Sequence, residues 1–333
     1  MIGIVWAHVV LWSPYKGGST EYLNDAYMQY FVPYKQIFKF SVICFFIISG
    51  FLLGDKIKTV RSFPYFKRRF RSTMKPYVFA YAAFLGLLFF RAYVLKSHVT
   101  ESNTVYSIVK FSIVDTLFWF MPNYLVSLAV VLLCKKYLNS IYFGIGLFVI
   151  TLAYSYFSVY NRNFVTSHST ALFGFVFYLW LGAYIKQSNL VEKIRKIKTP
   201  LLVAVAILFY IASSAEAYWL YRQKLEYLNI LRILNQFYAI SIFVLLVKLG
   251  YSKITFGPFT PRKETYGIYL YHGFFTYFFL PKIIVMLNNY FDIRFISYNT
   301  LLRLLIITAY FIVCYTSSVL LVKAFLRFKL AYL

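Results

Sequence analysis

Residues 44–79 read CFFIISGFLLGDKIKTVRSFPYFKRRFRSTMKPYVF, an apolar run that changes abruptly into a stretch rich in lysine and arginine. The apolar part belongs to a longer run over residues 38–54, which suits a helix inside a hydrocarbon layer. The basic part carries no acidic residue from Lys56 to Lys75. An apolar helix followed at once by a basic segment is typical of a membrane span with a cytoplasmic flank. This stretch therefore predicts a membrane protein.

The same alternation of apolar runs and charged segments continues along all 333 residues. Hydrophobic residues make up 61% of the chain and charged residues only 14%, whereas soluble domains carry about 25% charged residues. The runs predict an all-α, polytopic membrane protein with about ten transmembrane helices, organised as a single domain over residues 1–333. They cover approximately 1–12, 38–54, 77–95, 112–133, 140–158, 168–185, 200–220, 233–249, 265–287 and 300–322.

The distribution of charge predicts the orientation in the membrane. The net charge is +25, and with a cytoplasmic N-terminus most of the 35 Lys and Arg residues fall in cytoplasmic connectors. This bias favours both termini inside the cell. It also accounts for the charge without nucleic acid, and it leaves membrane lipid as an anionic neighbour. The three cysteines lack the spacing of a zinc site or a disulfide framework, so no metal is expected.

The first run, residues 1–12, predicts a truncated helix. Twelve residues span roughly 18 Å, which is short of the ~30 Å hydrocarbon core. His8 lies near its middle between apolar neighbours, so the bundle must shelter the ring. A neutral structural histidine and a general base for a hydroxyl proton both fit this position.

The other charged or titratable groups in or near the spans are few, and each is a functional candidate. His272 lies in the ninth run, three residues after Tyr269 and therefore on the same helix face. Several groups lie near helix ends, where snorkelling to the interface is the simplest explanation. They are Arg91, Asp115, His168, Glu216 and Arg232. The arginines of the basic segment fit either a topology signal or a phosphorylated cofactor, because guanidinium groups bind phosphate bidentately.

Taken together and in this order, the segments resemble the acyltransferase-3 family of integral membrane acyltransferases. The matching segments are His8, Phe45–Leu53, Lys67–Tyr77, Trp119–Phe120, Phe177–Ile185 and Tyr266–His272. The resemblance implies transfer of an acyl group, most often acetyl, from cytoplasmic acyl-CoA to a hydroxyl of a surface glycan or lipid-linked saccharide. It also implies a multi-pass protein of the bacterial inner membrane.

The resemblance further implies roles for individual residues. His8 is the expected catalytic base, and Arg68, Arg69 and Arg71 are expected to bind the phosphates of acyl-CoA. The expected substrate cavity is lined by Asp115, Trp119, Glu216, Tyr269 and His272. The family's first-helix arginine, which precedes the histidine, would fall before Met1. The chain is therefore expected either to start late or to lack that half-helix.

Two other classes of function stay open at this point. One is a transporter or flippase of a glycan or lipid, and the other is a non-catalytic partner in glycan assembly. Transporters often contain paired structural repeats, and no such halves stand out in this sequence. The absent arginine makes the non-catalytic partner more credible.

Overall fold

Helices make up the architecture of this protein wherever its structure, a computed structural model, describes it. The described residues are 1–11, 25–100, 102–161, 167–250, 261–283 and 300–328, and they contain no β-strand. In chain order the α-helices are α1 (Ile2–Leu11), α2 (Asp25–Gln36), α3 (Ser41–Ile57), α4 (Ser62–Phe89), α5 (Val105–Val114), α6 (Phe120–Leu133), α7 (Ile141–Ser155), α8 (Val176–Gln187), α9 (Leu190–Lys196), α10 (Thr199–Arg222), α11 (Ile233–Leu249), α12 (Pro261–Phe274) and α13 (Thr300–Arg327).

Five helical segments of the described residues are long and apolar enough to cross a membrane. They are Met28–Ile57, Ser62–Val94, Ile141–Tyr160, Thr199–Arg222 and Thr300–Arg327, with α5, α6 and α11 as shorter apolar helices. The predicted class, an all-α membrane protein, is confirmed. The count of about ten spans and the cytoplasmic position of both termini stay predictions.

The predicted helix 77–95 was placed too late, because α4 already begins at Ser62. Most of the basic segment is therefore helical. Pro64 lies in the first turn, where a missing backbone N–H breaks no helical hydrogen bond. Pro76 lies inside the helix, and membrane helices tolerate such prolines. The sequence reading took Pro76 as a boundary, which is why it missed this extension.

The predicted helix 112–133 is interrupted. Helix α5 ends at Val114, α6 begins at Phe120, and residues 115–119 between them form turns. The predicted helix 168–185 likewise starts later, at Val176. Predictions for α10 and α11 agree closely with the structure. The last residues of the predicted helix 265–287 lie outside the described part of the chain.

The described residues divide into two compact units. Unit 1 draws on Met1–Phe38, Arg71–Trp119 and Phe256–Leu333, and unit 2 draws on Lys39–Phe70 and Phe120–Thr255. In unit 1, α1 and α12 both pack against α13. In unit 2, α3 packs along α8 and α10 packs along α11. Each unit therefore has its own interhelical core.

Candidate active site

Two histidines from distant parts of the chain meet in unit 1. His8 lies on α1 and His272 on α12, and their ring centroids are 5.1 Å apart with an interplanar angle of 57°. The His272 side chain is fully buried, at 0% exposure, whereas His8 is half-buried. The packing of α1 and α12 against each other and against α13 positions the pair. The structure thus joins the predicted catalytic residue to one of the predicted cavity residues.

The hydrogen bonds of His272 fix its tautomer. Nδ1 lies 3.1 Å from the carbonyl oxygen of Ile268 and 2.8 Å from that of Tyr269. Carbonyl oxygens only accept hydrogen bonds, so Nδ1 carries the proton of the neutral ring. The lone pair is then on Nε2, which is buried and has no hydrogen-bond partner in the described residues. A fixed imidazole with an available lone pair is the arrangement that a proton acceptor needs.

The helix changes its winding directly after this histidine. Helix α12 ends at Phe274, and Phe275–Phe279 form a π-helical turn. The hydroxyl of Thr276 donates to the carbonyl oxygen of His272 at 2.9 Å, and Cys314 on α13 lies 3.3 Å from that hydroxyl. Single π-helical turns occur frequently at functional sites. Here the turn lies within one helical turn of the buried imidazole.

Tyr269 is buried beside His272, with ring centroids 6.3 Å apart. Its hydroxyl donates to the carbonyl oxygen of Leu117 at 2.7 Å. Tyr77 and Tyr277 donate in the same way to the carbonyl oxygens of Phe118 and Asp115, at 3.0 and 3.1 Å. Tyrosine hydroxyls thus satisfy three carbonyl groups of the interrupted segment. Irregular backbone at membrane depth requires such partners.

This segment also carries two of the predicted cavity residues. Trp119 is buried, and Asp115 has an exposed side chain at the end of α5. Tyr269 and Tyr277 tie the segment to the helix of His272 through backbone carbonyls. Asp115, Trp119, Tyr269 and His272 therefore belong to one hydrogen-bonded region of unit 1, and the acidic group of Asp115 faces outward.

The predicted phosphate-binding arginines lie in the first turns of α4 with exposed side chains. The guanidinium groups of Arg68 and Arg69 approach the Tyr65 ring, at 5.6 and 5.7 Å from its centroid. Arg69 Nε also donates to the Tyr65 hydroxyl at 3.1 Å. Arg71 is three residues beyond Arg68 and shares its helix face. Tyr65, which is buried, therefore anchors two of the three guanidinium groups.

Glu216 belongs to unit 2, where it has a different set of partners. Its carboxylate lies 3.5 Å from Nη1 of Arg232, with exposures of 7% and 1% for the two side chains. It also accepts a hydrogen bond from the hydroxyl of Tyr160. Sequence reasoning expected both charges to snorkel to the interface. The structure instead buries both side chains against each other. A further buried cation of unit 2, Lys39, was not singled out by the sequence analysis.

Two imidazole rings lie side by side in this helical membrane protein, and the lone pair of one of them is fixed on Nε2. Such a group can accept the proton of a substrate hydroxyl. Comparison with family models identifies the class. The model Acyl_transf_3, described as an acyltransferase domain, matches residues 1–323. The chain therefore belongs to the acyltransferase-3 family of membrane acyltransferases, as its motifs suggested. No curated protein and no solved structure gave a match.

Proposed function

We propose that this protein transfers an acyl group, in the first place acetyl, from cytoplasmic acyl-CoA to a hydroxyl of a surface glycan or lipid-linked saccharide. The proposal also places the protein in the bacterial inner membrane. The observation that carries it is the contact between His8 and His272 in a chain of the acyltransferase-3 family. No group of three metal-ligating side chains occurs among the described residues. The reaction as proposed uses imidazole as its base.

The proposed chemistry needs a base that removes the proton of the acceptor's hydroxyl group while the hydroxyl oxygen attacks the thioester carbonyl. The same proton then passes to the departing CoA sulfur, so no net proton is consumed. His8 is the proposed base because it is the less buried of the two rings. His272 holds a lone pair on Nε2 beside it. This second lone pair supports proton movement within the pair.

The proposed donor site is the exposed face of α4 that carries Arg68, Arg69 and Arg71. CoA bears several phosphate groups, and guanidinium groups bind phosphates through paired, charge-assisted hydrogen bonds. The Tyr65 ring holds the first two arginines, which lowers the entropy lost when a ligand binds.

The test of the function is incubation of the purified full-length protein with radiolabelled acetyl-CoA and glycan extracts. Transfer of label to a saccharide, releasable by mild base as expected for an ester, supports the proposal. Movement of glycan across a vesicle membrane without transfer of label would instead identify a transporter. A protein that does neither, while remaining folded, would fit a non-catalytic assembly partner.

Replacing Arg68 and Arg69 with alanine is expected to raise the KM for acetyl-CoA by about tenfold or more, with a smaller effect on kcat. The reason is that each lost guanidinium removes charge-assisted hydrogen bonds to the donor phosphates. Initial rates at varied acetyl-CoA concentration measure both constants. Alanine at Lys196 and Lys198 provides a matched control, because these exposed cations, at the end of α9 and just before α10, lie outside the proposed site. An unchanged donor KM in the arginine variant would remove these residues from the proposed site.

A further inference from the structure

A cleft of about 500 Å³ lies within unit 2, among helices that the proposed chemistry does not use. Its walls come from α7, α8, α9 and α11. Helix α8 packs against α7 and α9, and α9 packs against α11. Ligand-binding clefts have volumes of roughly 300–1,000 Å³. This cleft is therefore large enough to hold part of a lipid molecule.

The lining of the cleft is apolar or aromatic, apart from Lys193. On α8 the lining residues share one helix face, because they are spaced by three and four residues. They are Phe177, Trp180, Leu181, Tyr184 and Ile185. Such a lining suits a hydrocarbon chain and offers water few hydrogen-bonding partners.

One end of the cleft is closed by three aromatic rings. The ring centroid of Phe148 on α7 lies 4.9 Å from that of Phe177 on α8 and 6.5 Å from that of Phe237 on α11. Ile141, another lining residue, is the first residue of α7. The seven residues from Ile141 to Phe148 correspond to roughly 10 Å of helix. The cleft therefore runs along α7 from its first turn to the closed aromatic end.

The other end of the cleft carries a positive charge. Lys193 on α9 is the single charged residue that the described part of the chain places along the cleft, and its side chain is exposed. Glu192, the acidic residue of α9, pairs with Arg195 at 2.9 Å and does not neutralise Lys193. Trp180 donates its indole N–H to the carbonyl oxygen of Leu138 at 3.0 Å, and tryptophan is typical of the membrane–water interface. The cleft thus joins an apolar interior to a cationic rim.

We propose that this cleft binds an anionic phospholipid, with one acyl chain along the apolar lining and the headgroup phosphate at the ammonium of Lys193. Basic pockets between transmembrane helices bind anionic headgroups, and the helices of this chain that can span a membrane bring such lipids within reach. A zwitterionic phospholipid supplies the same chain without a net negative charge. Lys193 therefore provides the selection for an anionic headgroup. This site does not depend on the proposed acyl transfer.

Binding is tested by thermal unfolding of the delipidated full-length protein in detergent. The protein is titrated with phosphatidylglycerol or with phosphatidylcholine of the same acyl chains. A ligand that binds the native state raises the unfolding midpoint. We expect both lipids to raise it, because both supply a chain, and phosphatidylglycerol to act at about tenfold lower concentration, because its phosphate forms a charge-assisted contact with Lys193.

The variant that tests the headgroup contact is Lys193→Met, which removes the charge and keeps an unbranched side chain. We expect its apparent dissociation constant for phosphatidylglycerol to rise by about tenfold, to the value for phosphatidylcholine. Binding of phosphatidylcholine should stay unchanged. Lys58→Met is the matched control, because Lys58 is an exposed cation of the same unit that does not line the cleft.

The variant that tests the acyl chain is Ile145→Trp, which fills part of the cleft with a larger side chain. We expect it to weaken binding of both lipids by about tenfold or more, because the chain loses apolar contact area. Val149→Trp is the matched control. Val149 lies one helical turn further along α7 with a similar exposed fraction, 57% against 53% for Ile145, but it does not line the cleft. This control should bind both lipids as the parent protein does.

A second measurement covers a variant that folds poorly. Phosphatidylglycerol with a photoreactive diazirine in its acyl chain should label peptides of α7, α8 and α11 in the parent protein, and excess phosphatidylglycerol should compete better than phosphatidylcholine. The proposal is wrong if those peptides stay unlabelled, or if the two lipids raise the midpoint of the parent protein equally. It is also wrong if Ile145→Trp changes the oligomeric state and leaves lipid binding intact, since a second copy of the chain would then cover the cleft.

Discussion

Replacing His8 with alanine is expected to lower the rate of acyl transfer by roughly 10²- to 10⁴-fold, which is the usual contribution of a general base. Because His8 is only half-buried, its replacement disturbs the packing less than loss of a fully buried ring would. The variant should therefore keep its expression level and unfolding temperature. The transfer assay with labelled acetyl-CoA measures the rate, and thermal unfolding of the same preparation measures the fold. His98→Ala is the matched control, because His98 is an exposed histidine of the same unit.

His272 requires a gentler substitution, because alanine at this fully buried position would open a cavity. Asparagine places an amide N–H near the position of Nδ1, so it retains a donor for the carbonyl groups of Ile268 and Tyr269. It removes the lone pair of Nε2. If that lone pair participates in proton transfer, His272→Asn loses activity by at least about tenfold while the fold persists. Near-normal turnover by both the His8 and the His272 variants would exclude the imidazole pair from the chemistry.

Much of the secondary structure follows from local sequence, as the helices of unit 2 demonstrate. The boundaries of α10 and α11 match apolar runs, because charged or turn residues end each run where the helix ends. The interruption at residues 115–119 has no such local signal. Its carbonyl groups are satisfied by Tyr77, Tyr269 and Tyr277, which lie far away in the chain. A reading confined to one window cannot find partners at that separation.

The candidate site, like the secondary structure, follows only in part from local sequence. Sequence motifs singled out His8 and His272 individually, but only the packing of α1 and α12 brings their rings together. The sequence analysis noted Glu216 and Arg232 only as charges near helix ends. The packing of α10 along α11 brings the two side chains together. Lys39 escaped notice because a single lysine at the start of an apolar run resembles a membrane-interface residue. Its burial is a property of the fold.

The second large effect is expected where α3 meets α8. A Cβ atom added at Gly182 would lie 1.9 Å from the carbonyl oxygen of Ile47 and 2.7 Å from the backbone nitrogen of Phe51. A Cβ at Gly50 would lie 1.9 Å from the carbonyl oxygen of Leu179. These atoms belong to backbone and cannot rotate away. Membrane helices associate largely through van der Waals packing of small residues, so the two backbones touch only because both positions are glycine.

Gly182→Ala and Gly50→Ala are each expected to destabilise the protein by about 3 kcal/mol or more, at the upper end of overpacking effects. The measurement is the thermal unfolding midpoint, together with the monodisperse yield after purification. Gly86→Ala and Gly146→Ala are matched controls, because a Cβ at either helical position meets no atom within 4 Å. Both controls should be neutral or slightly stabilising, since alanine favours helix by about 1 kcal/mol over glycine. Equal midpoints for Gly182→Ala and Gly146→Ala would contradict the close α3–α8 contact.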